Sequence, residues 1–186
     1  MKSKFWNGIS VLLICAPLLG CSADFTSTKG EGRSSMNMQA AAEHADEILD
    51  AVLEELKPAV GWAHGPTGTG SCDVSRMRAV MTIVSAGRRG NFLGVVERFW
   101  RSNGYRIKAV NKDVDFPAIY AQTDDGFGVS LSFGGKGQAF FEVDSPCVAK
   151  SDVAPPTSAP NGPSYEGVHP IPRPNIRSPF WSAGAP

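Results

Sequence analysis

Between Met36 and Lys57 apolar residues recur at three- and four-residue steps: Met38, Ala41, Ala45, Ile48, Leu49, Val52 and Leu56. That spacing lines one face of an α-helix. Glu43, Asp46, Glu47, Asp50, Glu54 and Glu55 make the opposite face acidic, and a solvated surface accounts for them, with His44 exposed among them. Ser34 or Ser35 is placed to cap the start, and Pro58 to enforce the stop. A second helical stripe runs from Asn91 to Asn103 through Phe92, Val95, Val96, Phe99 and Trp100. Asn91 is its expected N-cap, and Gly104 the residue that closes its end in a left-handed conformation.

The rest of the patterned region has a period of two. From Arg76 to Ser85, Met77, Ala79, Met81 and Ile83 alternate with Arg78, Val80, Thr82 and Val84, which reads as a strand. Gly61 to Gly70, rich in glycine and holding Pro66, reads as a loop, and Gly87 to Gly90 as a turn. Strands are expected at Tyr105 to Asn111, at Ala118 to Thr123, at Phe127 to Phe133 and at Gln138 to Asp144. Asp124-Asp125-Gly126 and Gly134-Gly135-Lys136-Gly137 supply the tight turns. Phe127, Val129, Leu131 and Phe133 alternate with Gly128, Ser130 and Ser132, so one sheet face is apolar and meets the helices. Short-looped strands pair antiparallel, and the helices must cover one face. The expected fold is α+β: a two-layer sandwich with a mainly antiparallel sheet of about five strands and two helices on one face.

Outside this region the character changes twice. Residues 1–20 begin with Lys2 and Lys4 and continue into an apolar run from Ile9 to Leu19, followed by Gly20 and Cys21. A basic start, a run of about 11 apolar residues and a small residue at the cut describe a signal peptide, too short for a helix that spans a bilayer. Residues 22–35 are small and polar and read as a tether behind Cys21. At the other end, nine of the 14 prolines lie in residues 151–186. The division is therefore a signal peptide at 1–20, Cys21 and its tether at 21–35, an α+β domain at 36–147, and a proline-rich disordered tail at 148–186. Ile171, Ile176, Phe180 and Trp181 are apolar for such a tail and are candidates to dock on the domain or a partner.

Charge and cysteine narrow the partners. The chain carries 18 basic and 18 acidic side chains, and loss of Lys2 and Lys4 leaves 16 against 18, a formal charge of −2. There is no basic excess to draw nucleic acid. Once Cys15 leaves with the signal and Cys21 is modified, Cys72 and Cys147 remain as a pair in an oxidising compartment. A disulfide between them would close a loop of about 75 residues and stabilise the fold by roughly 4–5 kcal/mol in the chain-entropy model.

Candidate chemistry is sparse. Trp62 and His64, flanked by glycines, are the candidate ligand or partner contacts. His64 has no second histidine at metal-ligand spacing, so no metal or other cofactor is expected. The glycines of 65–70 lack the Gly-Lys-Ser/Thr end of a phosphate loop, and no Gly-x-Ser-x-Gly or Ser-x-x-Lys motif occurs. Asp113, Asp115, Asp124 and Asp125 sit where turns already favour aspartate.

The run Leu18-Leu19-Gly20-Cys21 looks like a lipobox, where bacterial lipoproteins are cleaved and lipidated on the cysteine. With the polar tether and an ending that runs from Gly126 through Gly137-Gln138-Ala139-Phe140-Phe141 to Ser145-Pro146-Cys147, the chain resembles the small uncharacterised secreted lipoproteins of high-GC Gram-positive (actinobacterial) bacteria. The resemblance implies lipidation at Cys21 and attachment to the outer face of the cell membrane, and no activity. The expected function is a non-enzymatic binding or envelope module that meets an envelope protein or a wall polymer. The alternative is an extracytoplasmic hydrolase with a site near His64.

Overall fold

The computed structural model describes residues 36–162 and 174–185. The signal peptide, Cys21 and the tether lie outside the described residues. Helix α1 spans Met38–Glu55 and helix α2 spans Ala86–Ser102. The strands are β1 Trp62–His64, β2 Gly68–Thr69, β3 Val74–Val80, β4 Arg106–Asn111, β5 Ala118–Gln122, β6 Gly128–Phe133 and β7 Ala139–Asp144. All pair antiparallel in the order β1-β3-β7-β6-β5-β4, with β2 also paired to β3. The architecture is the expected α+β layer pair. β4 to β7 form a meander, and β7 then crosses to lie beside β3.

The apolar alternation builds the core. Val129, Leu131 and Phe133 of β6 and Phe141 and Val143 of β7 are buried, as are Ile48, Leu49 and Val52 of α1 and Phe92, Val96 and Trp100 of α2. Phe92 stacks edge-on to Phe133 with ring centroids 5.8 Å apart, which seats α2 on the sheet. Cys72 and Cys147 are bonded at 2.18 Å, and this bond ties the start of β3 to the end of β7. The two turn expectations hold: Gly104 closes α2 at φ +80° and Gly126 sits in the β5–β6 hairpin at φ +99°.

Several boundaries differ from the sequence reading. The N-cap of α1 is Asn37, whose Oδ1 accepts from the Ala40 N–H at 2.9 Å, rather than Ser34 or Ser35. α2 begins at Ala86, after Ser85, so Gly87 to Gly90 are helical and not a turn. A glycine inside a helix costs about 1 kcal/mol, and burial of Phe92, Val96 and Trp100 outweighs it. β3 covers 74–80 rather than 76–85. The stretch expected as a loop at 61–70 contributes β1 and β2, which raises the strand count from about five to seven. Strands of three and two residues are too short to show a period.

The largest correction concerns the tail. Its described residues are packed. Ala149 bridges Asn37, the Gly162 N–H donates to the Trp62 carbonyl at 2.8 Å, and Ile176 bridges Thr82. Trp181 is 1% exposed, lies 5.0 Å from the Phe92 ring, and donates its indole N–H to the Pro58 carbonyl at 2.6 Å. The domain therefore extends beyond Cys147. Proline removes donors but leaves an extended chain with free carbonyls and its neighbours' N–H groups, which suffices to line the edge of a sheet. Trp181→Ala is expected to cost about 3–5 kcal/mol in urea unfolding, as for other buried tryptophans. A loss within about 0.5 kcal/mol, the ordinary result for a surface change, would mean that the tail does not hold the fold.

Candidate functional site beside Trp62

The site starts from two periodicities. Asp46 and Asp50 lie four apart on α1 and so share one face. Arg76 and Arg78 lie two apart on β3 and share the sheet face of Val74 and Val80, which is the face the helices cover. The two pairs meet between the layers. Arg78 Nη2 donates to Asp46 Oδ1 at 2.6 Å and lies 3.4 Å from Asp50 Oδ1. Arg76 Nε is 3.2 Å from Asp46 Oδ2. Arg76 also donates through Nη1 to the Thr67 hydroxyl and through Nη2 to the Ala154 carbonyl. Arg76 is 2% and Arg78 0% exposed. The solvated acidic face expected of α1 is thus divided: Asp46 and Asp50 turn inward to arginine. His44 is half-buried rather than exposed, edge-on to Phe127 at 4.9 Å.

Strand β1 adds Trp62 and His64 on one side, their rings edge to face at 5.1 Å. In register, Trp62 opposes Val80 and His64 opposes Arg78. The Arg78 guanidinium lies 4.7 Å from the centre of the Trp62 ring, a cation–π contact in a buried setting. Trp62 is 8% exposed and belongs to the core, with an edge on the surface. It is therefore chiefly a core residue and only marginally available to a partner.

The strap at 158–162 closes over this cluster. Ser158 donates its hydroxyl to Asp50 Oδ2 at 2.5 Å, and its carbonyl accepts from His64 Nε2 at 2.7 Å. Asn161 accepts from the Trp62 N–H at 2.9 Å and donates to the Val60 carbonyl at 3.2 Å. Between strap, α1 and β1 runs a cleft of about 360 Å³, walled by Asp50, Glu54, Lys57, Trp62, Ser158 and Asn161 among others.

Serine, histidine and aspartate thus stand together, but their wiring is not that of a nucleophile and its base. The Ser158 hydroxyl is bonded to Asp50, and His64 bonds the Ser158 carbonyl. The bond to a carbonyl fixes the Nε2–H tautomer and leaves Nδ1 as a buried acceptor without a partner among the described residues. Burial pushes the His64 pKa below the usual histidine value; Arg78 acts in the same direction, and the Ser158 bond opposes them. Among the described residues no group of three or more His, Cys, Asp and Glu is placed to hold a metal ion.

The sequence named Trp62 and His64, and the structure brings them together. Asp46, Asp50, Arg76, Arg78, Ser158 and Asn161 were not singled out. A signal existed for one of them: the alternation already placed Arg78 on the side of Val80. Comparison with protein-family models and with curated proteins finds no match to this chain.

The depressed pKa of His64 sets a pH dependence. The unfolded chain takes up a proton near 6.5 while folded His64 stays neutral to lower pH, so its contribution is complete above about 6.5 and is lost as pH falls. Glu142 and Asp144 have pKa values raised first by burial, so their slopes run the other way, near the ordinary carboxylate range. Unfolding free energy measured from about pH 7 down to about pH 5.5 should therefore fall less steeply in His64→Gln than in the parent. Identical slopes would remove His64 from the account.

Proposed function

We propose that the chain is an exported lipoprotein of the actinobacterial kind, anchored through Cys21 at the outer face of the cell membrane, and that its domain is a non-enzymatic binding module. The observation that carries the non-enzymatic reading is the wiring of Ser158, Asp50 and His64, in which every bond fastens the strap. The export reading draws on the Leu18-to-Cys21 run and on the Cys72–Cys147 bond, a linkage typical of oxidising compartments.

The cleft beside Trp62 is the binding face of this reading. It offers an aromatic edge, two carboxylates and one ammonium around an open trough. Such a mixed lining suits a polar polymer or an extended peptide of the envelope better than an apolar ligand. The hydrolase reading has one observation in its favour, the unpartnered Nδ1 of His64. That atom is buried, and among the described residues it is bonded to nothing that could serve as a nucleophile.

Cys21→Ala should move the protein from the membrane fraction to the medium or leave it unprocessed. A photo-crosslinking side chain at Glu54, on the cleft rim, should in the anchored parent give a discrete adduct with an envelope protein or wall polymer. Unchanged membrane association in Cys21→Ala would contradict the anchor. Turnover of an ester or peptide substrate abolished by His64→Ala would replace the binding reading with the enzymatic one.

A further inference from the structure

A second cavity, of about 500 Å³, lies at the start of α2 and shares no lining residue with the cleft beside Trp62. Its walls include Val84, Ser85, Ala86, Arg89, Lys136 and Ala185, and none of its lining residues is acidic. α2 is a helix of 17 residues, and the first N–H groups of any helix have no partner within it. They carry the positive end of the helix dipole, and the first turn of α2 holds no acid to balance it.

The capping residue is the unusual feature. An N-cap serine ordinarily accepts from an N–H of the first turn. Ser85 makes no such bond. Its backbone is fully engaged, the N–H donating to the Trp181 carbonyl at 2.9 Å and the carbonyl accepting from the Arg88 N–H at 2.9 Å. Among the described residues its hydroxyl has no hydrogen-bond partner, in a residue only 6% exposed. A buried polar group left unsatisfied destabilises the fold, and a ligand at this wall would offset that cost.

Two cations flank it. Arg89 is held by Nη1 bonds to the carbonyls of Val114 and Asp115, at 3.2 and 2.9 Å, and its buried Nε has no partner among the described residues. Lys136 sits in the left-handed region at φ 58°, a conformation that non-glycine residues seldom adopt. The neighbouring Gly137 explains how the turn is held. A Cβ there would lie 2.7 Å from the Val84 carbonyl and 3.2 Å from Arg89, so the turn is pressed against the start of α2 and keeps Lys136 at the cavity.

We propose that this cavity binds a phosphate group, carried by a small phosphate ester. The N–H groups of Ala86 and Gly87 at the start of α2 and the Ser85 hydroxyl would donate to its oxygens, and Arg89 and Lys136 would neutralise its charge. The cavity is larger than a bare phosphate needs, and Ile83, Val84 and Pro174 give the organic remainder an apolar wall. The site is separate from the cleft beside Trp62 and does not depend on the function assigned to that cleft.

Calorimetric titration of the mature lipoprotein in nonionic detergent tests the site, with inorganic phosphate, glycerol 3-phosphate and a short-chain soluble phosphatidylglycerol as separate probes. Saturable binding of glycerol 3-phosphate is expected, weakened about tenfold in Lys136→Gly, the loss of one charge-assisted contact. Lys136→Gly suits the left-handed backbone, so its ligand-free melting temperature should not fall. Ser85→Ala, which empties no volume of consequence, should weaken binding as well. Binding of the phosphatidylglycerol probe alone, lost in Lys136→Gly, supports the site and assigns the phosphate to a lipid headgroup. Binding of inorganic phosphate alone, lost in the same variant, supports the site and assigns it to the free ion. No saturable binding of any probe, or affinities unchanged in both variants, would overturn the proposal.

Discussion

Arg76 and Arg78 point into the layer between sheet and helices, where an unpaired charge cannot be sustained, and the arrangement of the N-terminal half of the domain follows from that constraint. A buried ion brought out of water costs several kcal/mol unless its partner and further hydrogen bonds are in place. Asp46 and Asp50 supply the partners, so α1 must lie across β3 with that face inward. A one-residue slip of β3 would put Met77 and Ala79 where Arg76 and Arg78 stand and leave two carboxylates facing methionine and alanine. The pairing therefore specifies a register. Against an apolar core of equal shape it adds little net stability, and its value lies in what it forbids.

The same charges recruit the C-terminal segment. Arg76 reaches the Ala154 carbonyl, and Asp50 holds the Ser158 hydroxyl. Asn161 and Gly162 then pair with the backbone of β1. One polar cluster thereby positions helix, sheet and strap, and the cleft beside Trp62 is the space left between them. The docking of Trp181 under Pro58 and against Phe92 fixes the second part of that segment by apolar burial instead.

Legibility in the sequence followed the length and regularity of each element. α1 and the meander β4 to β7 repeat their period often enough to be read, and the Cys72–Cys147 bond follows from pairing the remaining cysteines. β1 and β2 are too short for a period. The start of α2 was hidden by Gly87 and Gly90, whose local preference is overridden by the burial of Phe92 and Trp100. The charged cluster was hidden for a different reason. An acid on an amphipathic helix is read as solvated unless its partner is known, and Arg76 lies 30 residues away from Asp46 along the chain. The docked tail is not legible because composition reports the absence of a period, while a strap that pairs its backbone with a sheet edge needs none. The unpartnered hydroxyl of Ser85 had no signal in the sequence at all, since it depends on what the cap fails to bond.

The coupling between Asp46 and Arg78 tests this account most directly. Urea unfolding of Asp46→Asn, of Arg78→Met and of the double variant completes a thermodynamic cycle. Each single change should cost about 3–5 kcal/mol, because it takes from a buried charge the partner it bonds most closely. The double variant should then cost less than the two together by about 1–3 kcal/mol, the coupling expected of directly bonded charges. Single costs that add within about 0.5 kcal/mol would show two independent residues, and the register would have to be fixed by something other than this pair.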